Sequence, residues 1–240
     1  MVGAMERNHV AVVTGGTGAL GQALVPLLVQ RGFRLAVTYL MPEEATVLEE
    51  TLDLGEDRLI LRRVDCTDAA AVGRLMTEAV EHFGQINVLA SLVGGWAGGR
   101  DVIETDDVRF ERMLDLNLRS SFYAIRAAIP HLLAADWGRI IAVGSRAAFD
   151  TPTGQAAFNV AKAGVVALVK SVANELDDTK VTANVILPAV IDTAATRATL
   201  PYADYMQWPK PAEIAHVVDF LSSADAGIIT GAAVPVYGQA

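Results

Sequence analysis

Residues 14–21, which read Thr-Gly-Gly-Thr-Gly-Ala-Leu-Gly, have the composition and spacing to bind a phosphate through backbone amides. They follow an apolar run at 9–13, and apolar residues then recur at helical spacing over 20–28. Glycines allow a tight turn and a close backbone approach, and the N-terminus of the following helix stabilises negative charge. A strand, a glycine turn and a helix in this order are typical of a dinucleotide-binding fold. The residues of the turn that we expect to bind the dinucleotide are Gly15, Thr17, Gly18, Ala19, Leu20 and Gly21.

A lysine and a serine in the middle of the chain form a second group with reactive side chains. Lys162 lies in an apolar run over 160–166, where an unpaired charge would be costly, so we expect it to have a partner or a function. Ser145 follows an apolar strand pattern at 139–143, and a serine in such a place is most often structural. The spacing between the two residues favours instead a functional site that they share.

Length, charge and cysteine content limit the class of protein. A chain of 240 residues with 52% apolar residues suits one globular α/β domain. The net charge of −9 argues against nucleic acid or an anionic membrane as a partner, and no apolar run reaches the roughly 18 residues that a membrane helix needs. Cys66 is the single cysteine, which excludes an internal disulfide and fits a cytoplasmic protein. The four histidines show no metal-ligand spacing, so we expect no metal.

Short apolar runs alternate with helical patterns along the whole chain. The strands expected after the first lie at 35–38, 59–66, 86–93, 139–143, 181–187 and 232–236. Helical patterns cover 72–83, a long region from about 106 in which Pro130 marks a kink or an end, 155–176 and 211–221. This alternation predicts a parallel sheet with right-handed crossovers. We therefore expect an α/β fold: a single doubly wound Rossmann-type domain over 9–240, with a seven-stranded, mostly parallel sheet, helices on both faces and a flexible leader at 1–8.

The residues after the second strand bear on the choice between NAD and NADP. In dinucleotide folds an acid at this position hydrogen-bonds the adenosine ribose and selects NAD. Tyr39 and Leu40 occupy the position here, and Glu43 and Glu44 come slightly too late in the chain. No arginine or lysine stands there to hold a 2′-phosphate either. The sequence leaves NADP or NAD open, with a slight preference for NADP, and Tyr39 is expected to line the cofactor site.

Together with Lys162, these motifs resemble those of the short-chain dehydrogenase/reductase family over nearly the whole chain. Residues 14–21 are similar to the family's glycine turn, with Ala19 in place of its second glycine. The resemblance implies that Asn117, Ser145 and Lys162 belong to a catalytic site for hydride transfer between a nicotinamide and a small-molecule substrate. The further cofactor-binding residues that it implies, besides Lys162 itself, are Asp65, Cys66, Val93, Gly94, Pro188, Ile191 and Thr193.

Two departures from the family pattern affect the expected chemistry. The family's Asn-Asn-Ala-Gly after the fourth strand is replaced by Ser-Leu-Val-Gly at 91–94. The family's catalytic tyrosine, thirteen residues after the serine and four before the lysine, is Phe158, and a phenyl ring has no proton to give. General acid–base catalysis contributes about 10²–10⁴-fold to a rate, so the change is a large one. The candidates to replace the missing acid are water, Lys162, Tyr202 and Tyr205.

Three further segments resemble the quinonoid dihydropteridine reductases within that family. They are the Gly-Gly-Trp-Ala-Gly-Gly run at 94–99, residues 187–193 with Arg197, and residues 200–208. A quinonoid dihydropterin is already electrophilic and needs less proton assistance than a plain ketone, which is compatible with Phe158. The resemblance therefore implies a pterin-like or carbonyl substrate. The residues expected to line its pocket are Trp96, Arg146 and Tyr202.

Three hypotheses about activity follow from the same residues. The first is an NAD(P)(H)-dependent reductase in which Phe158 is natural and the proton takes another route. The second is a nucleotide-binding pseudoenzyme whose dinucleotide site serves sensing or assembly. The third is an active reductase in which the tyrosine was deliberately exchanged for phenylalanine. The resemblance and the apolar helical patterns after Asp106 and over 156–173 also predict a homo-oligomer, a tetramer or a dimer.

Overall fold

The computed structural model describes residues 8–239, so the leader expected at 1–8 lies outside the described residues except for Asn8. The strands are β1 (Val10–Thr14), β2 (Arg34–Tyr39), β3 (Leu59–Arg63), β4 (Val88–Ser91), β5 (Gly138–Val143), β6 (Val181–Pro188) and β7 (Ala233–Val236). They form a seven-stranded sheet in the order β3-β2-β1-β4-β5-β6-β7. Each neighbouring pair runs parallel, which confirms the expected doubly wound α/β fold.

Helices connect the strands and lie on both faces of the sheet. They are α1 (Ala19–Arg31), α2 (Pro42–Leu52), α3 (Ala69–Phe83), α4 (Asp107–Leu114), α5 (Ser120–Ala134), α6 (Ala147–Asp150), α7 (Ala156–Glu175), α8 (Ala194–Thr199) and α9 (Pro211–Leu221). Short 3₁₀ turns cover Val102–Glu104, Tyr205–Gln207 and Ala224–Ala226. A π-helical turn, Asp115–Arg119, joins α4 to α5, so the long helical region expected from about 106 is continuous in space.

The core is divided in two by the sheet. Alternate residues of β1 belong to different apolar clusters, since Val10 and Val12 pack in one and Ala11 and Val13 in the other. Successive side chains of a strand point to opposite faces, so the two clusters lie on opposite sides of the sheet. The first contains buried residues of α3, α5 and α7, and the second those of α1 and α9. Burial on both faces explains why the strands have continuous apolar sequences.

Two strands end earlier than the sequence predicted. β3 stops at Arg63 instead of Cys66, because the carboxylate of Asp65 accepts hydrogen bonds from the amide (2.9 Å) and the hydroxyl (2.7 Å) of Thr67 and turns the chain. β4 covers Val88–Ser91 instead of 86–93. Its pairing with β1 begins at Val88, and the glycine-rich run at 94–99 follows soon after its end.

Pro130 was expected to mark either a kink or the end of its helix. The second alternative is wrong, because Pro130 lies inside α5. α5 continues through Pro130 to Ala134. A proline inside a helix removes one backbone hydrogen bond. Ala128 before it and Leu132 after it are both buried in the same cluster, and this packing holds the two sides of the proline together.

The helix α7 is long and apolar enough, by composition alone, to cross a membrane. In the structure it packs on the sheet, with residues such as Val165 and Val169 buried in the first cluster. Its apolar sequence is therefore accounted for by its place in the core. Lys162 lies on the same helix and is also buried, at 5% exposure.

Candidate active site

The glycine turn between β1 and α1 is fixed on the end of the neighbouring strand β2. Gly15 adopts a φ of +71°, a left-handed conformation that glycine tolerates best. The amide of Gly15 donates to the Thr38 hydroxyl (2.8 Å), and the amide of Gly16 donates to the Thr38 carbonyl (3.1 Å). A side chain at Gly21 would overlap the backbone of Gly16, so the turn and the helix approach each other as closely as glycine allows.

The same turn presents the N-terminus of α1 without a side chain over it. Gly18 is the N-cap residue, and it offers no side-chain hydrogen bond to the first amides of the helix. Free amides at a helix N-terminus bind anions, and the missing side chains leave room for them. The residues present therefore fit the pyrophosphate of a dinucleotide. That Gly15, Thr17, Gly18, Ala19, Leu20 and Gly21 bind it stays a prediction.

Three residues expected to line the cofactor site lie at the ends of β2 and β3. Tyr39 is half-buried at the end of β2, and Asp65 is exposed in the turn after β3. The hydrogen bonds from Thr67 hold the pKa of Asp65 below its usual value, so this carboxylate is ionised. Burial raises the pKa of the Cys66 thiol to about 11. The thiol is therefore neutral and unreactive at neutral pH.

Lys162 is buried beside three groups that sequence analysis assigned to the site. Its Nζ donates to the carbonyl of Val143 at the end of β5 (2.8 Å). A Cβ built on Gly94 would lie 3.1 Å from this Nζ and 2.9 Å from Oδ1 of Asn117, so the glycine leaves space between the two. The Nζ also lies 5.8 Å from the centroid of the Phe158 ring. The structure thus brings Gly94, Asn117, Phe158 and Lys162 together.

The electrostatic state of Lys162 follows from its burial. Removal of the ammonium from water lowers the pKa of Lys162 to about 8. The ammonium therefore predominates at neutral pH, and it loses its proton more readily than an exposed lysine would. This is a useful property for a group that is to give a proton to a neighbour.

Asn117 is held by the π-helical turn and does not project freely into the site. Its Nδ2 donates to the carbonyls of Gly95 (3.0 Å) and Met113 (3.1 Å), and its Oδ1 accepts from the amide of Gly95 (3.1 Å). Asn117 is fully buried. Its side chain therefore holds the glycine-rich loop after β4 to Met113 of α4.

Ser145 is half-buried in the loop after β5. Its hydroxyl oxygen accepts a hydrogen bond from the amide of Ala147 (3.1 Å), which leaves the hydroxyl proton to be donated. The loop is tied to the next strand by the amide of Arg146, which donates to the carbonyl of Pro188 (2.9 Å). Ser145 and Pro188 are thereby placed at the same carboxyl edge of the sheet, where ligands bind in open α/β folds.

The segment after β6 is folded back by its own polar groups. Thr193 caps α8 in a capping box with Thr196, and the Thr196 hydroxyl also donates to the carbonyl of Ile191 (2.5 Å). Arg197 forms a bidentate pair with Asp192 and stacks on the ring of Tyr205 at 4.1 Å. These contacts hold Ile191 and Thr193 in one ordered segment.

The three residues expected to bind substrate have different surroundings. Trp96 is 47% exposed and donates from Nε1 to Oε1 of Gln155 (2.7 Å). The guanidinium of Arg146 bonds Asp150 (2.6 Å) and lies over the ring of Tyr237. The side chain of Tyr202 is fully exposed.

Sequence analysis missed Gln155, which positions the loop around Trp96. Besides accepting from Trp96, Gln155 donates from Nε2 to Oδ1 of Asn159 (3.0 Å), and the Asn159 amide donates to the carbonyl of Pro152 (2.9 Å). These bonds join the loop after β4 to the start of α7. The only signal in the sequence was the polar character of residues 155 and 159 within an apolar helix.

The doubly wound sheet, the glycine turn and the site around Lys162 define the class of Rossmann-type oxidoreductases. The family model described as short chain dehydrogenase matches residues 9–202. The chain accordingly belongs to the short-chain dehydrogenase/reductase family of oxidoreductases.

Relatives along the full chain support this assignment. The 3-oxoacyl-[acyl-carrier-protein] reductase MabA of Mycobacterium tuberculosis is 34% identical over 236 residues, which cover 95% of this chain and 90% of that protein. The 3beta-hydroxysteroid dehydrogenase 2 of Eggerthella lenta is 28% identical over 244 residues, with 96% and 94% covered. A solved short-chain dehydrogenase/reductase from Serratia marcescens has a TM-score of 0.90 at 31% identity, with 98% of this chain and all of that one covered.

Proposed function

We propose that this protein is an NAD(P)(H)-dependent reductase that acts on an electrophilic carbonyl or quinonoid carbon, a quinonoid dihydropterin-like substrate being favoured over a plain ketone. The observation that carries the proposal is the buried Lys162, which is held by Val143 beside Asn117 and next to the Phe158 ring. A buried ammonium is costly unless it is paired or hydrogen-bonded, and the hydrogen bond to the Val143 carbonyl offsets part of that cost. The relatives named as 3-oxoacyl reductases support reduction of a carbonyl.

In this mechanism the chain positions the reactants and the cofactor supplies the hydride. The glycine turn would hold the pyrophosphate, and Lys162 would hold the nicotinamide ribose from its buried position on α7. The Ser145 hydroxyl donates a hydrogen bond to the substrate oxygen and stabilises the negative charge that develops there. Asn117 fixes the loop that carries Gly94 and Trp96, on which the substrate rests.

The proton in this proposal comes from Lys162, because Phe158 has none to give. Its pKa of about 8 leaves the ammonium charged at neutral pH and able to protonate an alkoxide. Tyr202 is fully exposed and Tyr205 is stacked on Arg197, whereas Lys162 is buried beside the Phe158 ring, which favours Lys162 as the donor. An electrophilic, quinonoid substrate suits such an enzyme because it depends least on proton delivery.

The second candidate function is that of a nucleotide-binding pseudoenzyme. The observation that favours it is Phe158, because a phenyl ring has no proton to give. The pseudoenzyme shares the glycine turn and the cofactor contacts with the first proposal and differs only in turnover. The experiment that separates them measures oxidation of NADH and NADPH on a panel of ketones, quinones and quinonoid dihydropterins. Turnover on any member supports the reductase, and binding of NAD(P)H without turnover on the whole panel supports the pseudoenzyme.

We also propose a cytoplasmic homo-oligomer, a tetramer or a dimer. Apolar side chains on the outer surfaces of α5 and α7 remain exposed in the single chain, among them Phe122 (39%), Leu133 (47%) and Val160 (50%). Such side chains gain stability when a second copy covers them. Light scattering at micromolar concentration is expected to give a mass above that of one chain, and a monomer there would contradict the proposal.

A further inference from the structure

The carboxylate of Glu44 lies against the glycine turn, although Glu44 follows β2 by several residues. Glu44 belongs to the first turn of α2, which begins at Pro42. The hydroxyl of Thr17 donates to its Oε2 at 2.9 Å. Thr17 is itself 3% exposed and lies inside the turn that we assign to the dinucleotide. One acidic side chain is therefore fixed beside the cofactor cradle by a buried residue of that cradle.

The end of β2 shows why a residue of α2 reaches this place. Thr38 holds the turn through Gly15 and Gly16, so the turn sits on the end of β2. Tyr39 then ends the strand, and α2 begins after the short link at Leu40 and Met41. An acid in the first turn of α2 is thereby brought next to the turn that follows β1.

We propose that Glu44 is the residue that selects NAD(H) over NADP(H) in this protein, a role that rests on the proposed function. Its carboxylate is free to accept hydrogen bonds from the adenosine ribose hydroxyls while Thr17 holds it. A 2′-phosphate in the same place would bring a further charge of about −1.5 to −2 against the carboxylate. This proposal reverses the slight preference for NADP that the sequence indicates. Glu44 lies several residues past the end of β2 in the chain, yet its carboxylate reaches Thr17 in the cofactor turn.

The opposing candidate on the same edge is Arg63, which could hold a 2′-phosphate. It pairs in register with Tyr39 at the end of β3, is exposed, and donates from Nε to the carbonyl of Leu40 at 3.2 Å. Among residues 8–239 no ion pair joins Arg63 to Glu44. Glu44 accepts its hydrogen bond from Thr17 in the cofactor turn, whereas Arg63 donates its hydrogen bond to Leu40 in the link before α2. The geometry therefore favours Glu44.

The test is calorimetric titration of the folded protein with NADH and with NADPH, which needs no substrate. We expect NADH to bind about tenfold more tightly, or better, at low salt. Glu44→Gln keeps the size of the side chain and an acceptor for Thr17 but removes the charge. It is expected to bring the two affinities to within about threefold of each other, chiefly through tighter NADPH binding.

Glu43→Gln is the matched control, because it removes the same charge from the same turn of α2 without a hydrogen bond to Thr17. It is expected to leave most of the preference intact. High salt is expected to reduce the preference of the unmodified protein and to affect Glu44→Gln little, because charge repulsion is screened.

Three outcomes would overturn the inference. One is a preference for NADPH that Arg63→Gln abolishes, since Arg63 would then be the selecting residue. Another is a preference for NADH that Glu44→Gln leaves unchanged, since the bond to Thr17 would then serve only to hold α2. The third is an equal loss of the preference in Glu43→Gln and Glu44→Gln, since general charge and not position would then select. Failure to bind either nucleotide would contradict the proposed function itself, and it is thereby distinguished from the other three.

Discussion

The glycine turn at residues 14–21 and the reactive site around Lys162 occupy the same edge of the sheet but depend on different parts of the chain. The turn works through backbone amides and the absence of side chains at Gly16 and Gly21. In the proposed mechanism the site around Lys162 works through individual side-chain atoms, and residue 158 is a phenylalanine without a phenolic oxygen. The comparison teaches that the backbone site depends on side chains being absent, so an added side chain breaks it, whereas the side-chain site depends on particular atoms being present, so an exchanged side chain changes its chemistry.

The largest expected effect is on the backbone site. Gly21→Asp would place a side chain against Gly16 and a negative charge near the phosphates, so we expect binding of NADH and NADPH to be lost. Calorimetry measures the loss, with circular dichroism to show that the variant is folded. Gly73→Asp is the control, since a Cβ at this glycine of α3 meets no atom within 4 Å. Unchanged affinity in a folded Gly21→Asp protein would mean that the cofactor binds elsewhere.

The second largest effect is expected on the turnover rate when a phenol is introduced at residue 158. Phe158→Tyr adds one hydroxyl beside Lys162, whose ammonium would stabilise the phenolate and so lower the phenol's pKa. We expect kcat to rise by about 10²-fold where proton transfer limits the rate, and more on plain ketones than on quinonoid substrates. Steady-state turnover on both substrate classes measures this.

Phe220→Tyr adds the same hydroxyl to α9 and should change neither rate. Equal or lower activity of Phe158→Tyr on both classes would show that residue 158 is not the position of a missing acid. The protein would then use a different proton route or have no catalytic activity.

A smaller effect concerns the pH dependence of the unmodified protein. The burial-lowered pKa of Lys162 means that the proton donor is present below about pH 8 and is lost as the pH rises through that value. We therefore expect kcat for reduction of a plain ketone, the substrate class that depends most on proton delivery, to fall above about pH 8, by about tenfold for each further unit. Phe158→Tyr should change this profile, because the phenol replaces Lys162 as the donor. A rate in the unmodified protein that stays constant across pH 8 would exclude Lys162 as the acid.

The fold was more predictable than the site. Apolar strands, helical stripes and the glycine turn are local patterns, and they led to the correct sheet and to Lys162 and Asn117 as neighbours through the family resemblance. The errors have two causes, a local turn that ends a strand and tertiary packing that continues a helix. Asp65 ends β3 through Thr67, and the packing of Ala128 and Leu132 carries α5 through Pro130.

The sequence by itself determined the doubly wound α/β fold, the glycine turn after its first strand and the absence of a phenol at residue 158, because these depend on periodicity and on residue type. Only the tertiary structure decided which polar groups meet. Glu44 reaches Thr17, and Gln155 reaches Trp96, across separate elements of the chain. The charge state of Lys162 likewise depends on its removal from water. Such contacts are set by how helices pack on the sheet, and residue spacing along the chain does not contain that information.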